Sequence, residues 1–348
     1  MQTRVCKLYD KHDIRIETEA LGEPGPEEVL VQMSAAGICG SDLHYYHDGG
    51  FGPIRVREPI ILGHEASGIV AATGKDVSTL AVGDRVAISP SRPCGECEYC
   101  LDGMFNHCLN MRFSGSAMRM PHEQGLFRDR MIVPAAQCHR VGDATTMAEA
   151  ACSEPLAVCL HAARMAGPIE GKRVLVTGAG PIGALCVAVA ARAGAVEIVV
   201  TDLQDAALAV ARKMGATRMI NAATNPDAMT AYSANKGYFH TVFECSAAAP
   251  AIKSAIAALR PKGTFVQVGV AGDTPVPLNL IVSKEITLQG THRFHEEFAQ
   301  AVAAISVGEI DVRPIITATY PLAEAQRAFD EAGDRSRAVK VHLSFETA

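Results

Sequence analysis

One stretch constrains the fold of this chain more than any other. Arg173-Val-Leu-Val-Thr177 is a short β-branched run, Gly178-Ala-Gly180-Pro181-Ile182-Gly183 follows it directly, and small apolar residues continue with helical spacing to Ala193. A G-x-G-x-x-G pattern alone is weak, but between a strand and a helix it has a mechanism. Gly178 makes the tight turn and Gly180 lets the backbone approach a pyrophosphate. Gly183 lets helix and strand pack closely, and the helix N-terminus offers amide donors to phosphate. A second strand from Ile198 ends at Asp202, nineteen residues after Gly183. A carboxylate there binds both ribose hydroxyls of NAD and repels the 2′-phosphate of NADP. Leu203-Gln204-Asp205 supplies no arginine for that phosphate. NAD is therefore the expected cofactor, held by Gly178, Gly180, Pro181, Ile182, Gly183 and Asp202. The competing assignment makes Asp202 a cap on the helix from Asp205. Val268, Gly269 and Val270 are expected to face the same ligand at the end of a later strand.

Around this unit the texture of the chain changes twice. Short strand-like runs at Glu28 to Ser34, Ser67 to Ala72, Asp84 to Ile88 and Arg130 to Val133 are separated by Gly and Pro, which predicts a barrel-like β domain over residues 1–150. From Gly171 onward strands alternate with helices (Asp205 to Met214 the second of them), and further strands are expected at Thr241 to Cys245, Thr264 to Val268 and Ile286 to Gln289. That alternation predicts an α/β architecture with a doubly wound parallel sheet over 151–289. Helical periodicity at Glu296 to Ser306 and Leu322 to Ala332, then a strand from Lys340 to Phe345, predicts a return to the first domain over 290–348. A chain of 348 residues is long enough for two cores.

Composition removes several functional classes. The longest apolar run, Ala184 to Ala191, stops at Arg192 and is too short to cross a bilayer. A net charge of -6 without a basic run argues against nucleic acid as partner. The opening MQTRVCKLYDKHD contains no apolar core of an export signal, so the cytoplasm is expected. Eleven cysteines, an odd number, then call for metal ligation more than for disulfides. Cys94-Gly-Glu-Cys97-Glu-Tyr-Cys100, followed by Cys108, suits a closed tetrahedral zinc site that holds a lobe in shape. A second set is dispersed: Cys39, Ser41, Asp42 and His44 within six residues, then His64-Glu65, then Glu154. A catalytic zinc needs three protein ligands and an open position, which Cys39, His64 and a glutamate supply; spacing alone does not assemble them.

The ordered set GICGSDLH, GHEASG, GDRV, CGECEYC, SEPLAV, GAGPIG and Asp202 resembles the zinc-containing medium-chain alcohol dehydrogenases over essentially the whole chain. The resemblance implies a GroES-like catalytic domain, a Rossmann domain and a cleft between them. It implies Cys39 and His64 as catalytic zinc ligands, with the third open between Glu65, Glu154, and Glu154 through water. Cys152, two residues early, is disfavoured. Glu154 stands where the alcohol-oxidising enzymes carry cysteine, which is the pattern of the polyol branch. The same resemblance makes Asp42 the residue that orients the histidine ligand. Ser41 and His44 become a proton relay to solvent, and Glu154 an additional base. Within that branch, Cys39 to Tyr46 and Asn110 to Met118, with Pro121-His122, look most like the sugar-acid enzymes, the L-idonate 5-dehydrogenases. The implied reaction is L-idonate + NAD⁺ ⇌ 5-keto-D-gluconate + NADH, with Tyr45, Phe113, Arg293 and Phe294 as substrate contacts. Arg293 matches a polyol-contacting arginine of the sorbitol enzymes, and an arginine can hold the carboxylate by a bidentate pair; Arg112 is a further cation, and Arg119 reads as ordinary surface charge. A sorbitol- or xylitol-type polyol is the alternative substrate. A non-catalytic NADH-binding zinc protein is a distant one, since such a chain would lose the Cys39, Ser41, His44, His64, Glu65 and Glu154 set that is present here. A homo-oligomer, dimer or tetramer, is expected, with 266–270 or 286–289 as its edge.

Overall fold

The computed structural model describes residues 1–270 and 272–345. The chain opens with an antiparallel hairpin, Gln2–Asp10 against Asp13–Ala20, reversing through His12 at φ 58°. Sequence reading missed this hairpin, although Ile14 and Ile16 alternate with charged residues in the half-buried manner of a strand. The main antiparallel sheet is built around the strand Glu28–Gly37, buried on both faces through Val29, Val31, Met33 and Ala36. It pairs with Glu65–Thr73 on one side. On the other side it meets Arg130–Pro134 along its first half and Lys340–Ser344 at its end. Immediately after this strand, Cys39 caps helix α1 (Gly40–Asp48).

Helix α2 (Ser153–Ala166) leads into a six-stranded parallel sheet: β1 (Arg173–Thr177), β2 (Glu197–Asp202), β3 (Arg218–Asn221), β4 (Phe239–Glu244), β5 (Leu259–Gln267) and β6 (Thr287–Gly290). The spatial order is β3-β2-β1-β4-β5-β6. Strand order reverses between β1 and β4, and in such sheets the crevice outside the carboxyl ends at that point takes the ligand. Each strand sends alternate residues to opposite layers: Val174, Val176, Ile198 and Val200 pack with α2 and α3 (Pro181–Arg192), while Leu175, Val199, Val242 and Phe265 pack on the other face.

After β6 the chain does not pass at once to the strands of the first domain. Helix α4 (Glu297–Ser306) lays Phe298, Ala301, Val302 and Ile305 into the parallel-sheet core. At Ile316–Pro321, which pairs in parallel with Lys340–Ser344, the chain joins the otherwise antiparallel sheet, where Leu322, Ala325, Phe329, Val341 and Leu343 complete its core. Helix α4 also touches the first domain, since the Phe298 ring lies 5.0 Å from that of His139 and Ser306 Oγ accepts from Gly142 N–H at 3.0 Å. Among the described residues no helix is long and apolar enough to cross a membrane.

Candidate active site

Asp42 organises the metal-ligating residues. Cys39 N–H donates to its Oδ2 at 3.0 Å and Gly63 N–H to its Oδ1 at 3.2 Å, and Oδ1 also lies 3.6 Å from His64 Nδ1. The carboxylate thereby ties the start of α1 to the turn that presents His64. One ligand atom each of Cys39, His64 and Glu65 lies within 4.8 Å of the others. A thiolate, an imidazole and a carboxylate so grouped suit a zinc ion with a fourth position open. The field agrees with this donor set. Burial opposes a charge on His64, yet Asp42 and Cys39 overcome it and hold its pKa well above the ordinary value. This is a pocket that favours a cation.

Glu65 has a partner that sequence reading did not find. Lys340 Nζ donates to both of its oxygens at 2.8 Å and to the Ile38 carbonyl at 3.1 Å. The two side chains are 2% and 1% exposed. Burial works to raise the pKa of Glu65, and Lys340 and His64 outweigh it and hold the carboxyl below its usual range. Glu154, in the first turn of α2, is buried but outside the mutual 4.8 Å set. Burial pushes its pKa up to about 7, with His64 pulling it down and Glu65 adding to the rise. Cys152 also lies outside the set; its thiol contacts the Ala148 carbonyl and His342 Nε2 at 3.8 Å.

Ser41 and His44 lie three residues apart on α1 and so share a face. The His44 side chain is half exposed, with Nδ1 2.9 Å from Asp48. Phe113 links the metal group to Arg293: its ring is 5.4 Å from that of His64, and the Arg293 guanidinium stacks over it at 4.2 Å. Arg293 Nη2 also reaches Met118 Sδ at 3.1 Å. Tyr45 is buried, its hydroxyl accepting from Ala117 N–H at 3.3 Å. Phe294 is not brought to this cleft. It is 1% exposed and stacks on Phe298 inside the parallel-sheet core, because the Arg293 backbone turns the next side chain inward. Arg112 is paired with Glu123 at 2.9 Å and Arg119 with Asn110 at 3.1 Å.

The four-cysteine lobe is a separate cluster. Cys94, Cys97, Cys100 and Cys108 present their sulfurs within 4.8 Å of one another. The Cys94–Cys100, Cys97–Cys108 and Cys94–Cys108 sulfur separations are 4.0, 3.9 and 3.4 Å, close to the edge of about 3.8 Å that a tetrahedron with Zn–S bonds near 2.3 Å requires. Cys94 N–H and Asn110 N–H donate to Cys108 Sγ at 3.2 and 3.3 Å. A hydrogen bond from the Glu96 backbone leads the causes that lower the Cys94 pKa to about 6, as suits a thiolate.

At the carboxyl end of the parallel sheet the glycine loop has the shape its sequence requires. A Cβ on Gly183 would stand 1.8 Å from the Gly178 carbonyl oxygen, while one on Gly180 would meet nothing within 4 Å, leaving an open approach for a ligand. Asp202 Oδ2 accepts from Ala179 N–H at 2.6 Å, and Oδ1 from Gln204 N–H at 2.9 Å. It therefore braces the glycine loop as well as its own turn. Val268 and Gly269 donate their N–H groups to the Glu244 carbonyl at 2.9 and 2.8 Å, and Val270 is exposed. The Glu244 carboxylate, fully buried, collects Thr177 Oγ1, Ser246 N, Ala247 N and Gln267 Nε2 between 2.7 and 3.2 Å. It locks together the three loops that border the crevice. Sequence reading missed it because an acid ending an apolar strand has no local signature.

Residues 25–143 match the family described as alcohol dehydrogenase GroES-like domain, and residues 181–306 match zinc-binding dehydrogenase. L-idonate 5-dehydrogenase (NAD(P)(+)) of Escherichia coli (strain K12) is 39% identical over 346 residues, 99% of each chain. Sorbitol dehydrogenase of Gallus gallus is 36% identical, over 98% of this chain and 96% of that one. The crystal structure of L-idonate 5-dehydrogenase from Escherichia coli superposes with a TM-score of 0.94, at 39% identity and 99% coverage of both chains. The chain belongs to the zinc-binding, GroES-like alcohol dehydrogenase family, and is an oxidoreductase that uses zinc and a nicotinamide dinucleotide.

Proposed function

We propose that the protein oxidises L-idonate to 5-keto-D-gluconate with NAD⁺. The observation that carries this reading is the proximity of the Cys39–His64–Glu65 group to Arg293 across the Phe113 ring. One end of the cleft favours a cation beside an alcohol, and the other offers a guanidinium to an anion. Likeness to the Escherichia coli L-idonate enzyme over the full chain supports the same substrate.

In this reading Cys39, His64 and Glu65 hold the catalytic zinc, and Cys94, Cys97, Cys100 and Cys108 a structural one. Zinc supplies Lewis-acid activation of the hydroxyl, and NAD⁺ supplies the hydride acceptor. Asp42 fixes the His64 ring, as partners of metal-binding histidines do. Ser41 Oγ would accept the proton leaving the substrate hydroxyl while releasing its own toward the cofactor ribose, and half-exposed His44 would take a proton from there and pass it to water while Asp48 orients the imidazole. Glu154, with a carboxyl near 7, is matched to taking up and returning a proton at neutral pH. Arg293 receives the substrate carboxylate, and Tyr45 and Phe113 wall the cleft. Gly178, Gly180, Pro181, Ile182 and Gly183 cradle the pyrophosphate, Val268 and Gly269 border the nicotinamide side, and Asp202 selects NAD by its charge. The chain assembles as a homo-oligomer at the open edge of β6, where Leu278, Val282 and Leu288 are exposed, and works in the cytoplasm.

Steady-state rates on L-idonate, sorbitol, xylitol and L-threonine, with NAD⁺ and NADP⁺ at matched concentrations, test the proposal. The highest kcat/KM is expected for L-idonate with NAD⁺. A higher value for sorbitol would make the protein a neutral-polyol dehydrogenase, the reading favoured by its likeness to the Gallus gallus enzyme.

A further inference from the structure

Arg293 is held in place from outside its own domain. After β6 the chain runs without regular structure through residues 291–296 before α4 begins. Arg293 sits there at φ 52°, a left-handed conformation that a β-carbon disfavours and that persists only where surroundings impose it. On the inner side Phe294 is anchored in the core against Phe298. On the outer side the four-cysteine lobe supplies two ring stacks and a hydrogen bond to the neighbouring histidines. The Phe105 ring stacks on His295 with centroids 4.1 Å apart. The His107 ring stacks with His292 at 5.7 Å. Between them, Asn106 Nδ2 donates to the His292 carbonyl at 2.9 Å. Three consecutive residues that lie between Cys100 and Cys108 and ligate nothing thus bracket Arg293 on both flanks.

We propose that Phe105, Asn106 and His107 are positioning residues for Arg293, so that the thiolate lobe sets the enzyme's preference for a substrate with an anionic end. The proposal rests on the reading above in which Arg293 receives the carboxylate. The physical argument is geometric. A guanidinium and a carboxylate pair through two parallel hydrogen bonds, whose strength depends on both direction and distance, and a site loosened by about 1 Å loses most of its function. A neutral hydroxymethyl end accepts at most a weaker, single hydrogen bond from the guanidinium and tolerates the displacement better. Loosening the 291–296 segment therefore weakens the acid substrate selectively.

The test uses the full-length, zinc-loaded enzyme and Asn106→Ala, whose zinc content is first matched to wild type by metal analysis. Hydrogen exchange of the backbone amides at 291–296 reads the clamp, and kcat and KM for L-idonate and sorbitol read its consequence. Asn106→Ala is expected to exchange faster there and to raise KM for L-idonate roughly tenfold with kcat nearly unchanged, the range for weakening a charge-assisted hydrogen bond. KM for sorbitol is expected to stay at its wild-type value. Unchanged exchange, or KM values that move together or not at all, would overturn the proposal. Arg293→Ala separates the two ideas: if it leaves the L-idonate to sorbitol ratio as in wild type, the carboxylate role of Arg293 fails, whatever the exchange data say about the clamp. Should Asn106→Ala lose zinc from the lobe, His107→Gln takes its place under the same two measurements.

Discussion

Asp42 serves two backbone amides and an imidazole with two oxygens, all in a place without water. Asp42→Asn preserves its size and removes its charge. The expected outcome is a catalytic zinc bound ten- to a hundredfold more weakly, as for other lost partners of metal ligands, while the four-thiolate site is unaffected. Competition with a chromophoric chelator measures this, and unchanged affinity would remove Asp42 from the metal site. Single residues were unequally legible in the sequence. The four cysteines of the lobe fall within fifteen positions, so spacing alone identified the cluster. The Cys39, His64 and Glu65 group required a family resemblance, because their neighbours in sequence carry no sign of their neighbours in space. Lys340 was out of reach altogether: its carboxylate partner is 275 residues away, and a lone lysine in a sequence reads as surface.

Among the elements, five of the six parallel strands were legible because buried parallel strands are short β-branched runs between turns, with ends off by a few residues, whereas the edge strand β3, buried only at Ile220, was missed. Helix α4 was legible as a helix but not in its packing partners. Its first residue, Glu297, supplies part of that packing, since Oε1 lies 3.0 Å from His161 Nδ1 and 3.0 Å from Arg164 Nε, both on α2. Burial acts to raise the Glu297 pKa, but hydrogen bonds from His161 and the His295 backbone hold it down to about 2, against an ordinary 4.5. A carboxyl depressed by folding contributes stability above its ordinary pKa and loses it as pH falls through the folded value. Glu297→Gln is accordingly expected to be less stable than wild type at pH 7 by about 2 kcal/mol, as for a lost hydrogen bond to a charged group. That difference should shrink as pH falls from about 4.5 toward 2. Urea unfolding across that range measures it, and a gap that stayed constant down to pH 3 would assign the stabilisation to packing instead.

At the scale of the whole molecule, two groups of side chains of different chemistry could each hold a metal ion. Four sulfurs would close one site, whereas a thiol, an imidazole and a carboxylate would leave a fourth position open at the other. Stepwise chelation is expected to remove the ion of the Cys39 group first, abolishing turnover at one zinc per chain while the fold is retained. Metal analysis, activity and circular dichroism on the same samples would show it, and activity surviving with a single zinc would contradict it. The Lys340–Glu65 contact adds an element of timing. At a synthesis rate of about 5–20 residues per second, roughly 14–55 s pass between the making of Glu65 and that of Lys340, 275 positions later. Throughout that interval the parallel-sheet domain can be completed, but the carboxylate of the metal group has no buried counter-charge. The metal group therefore reaches its final balance of charge only with the arrival of the closing strand that carries Lys340.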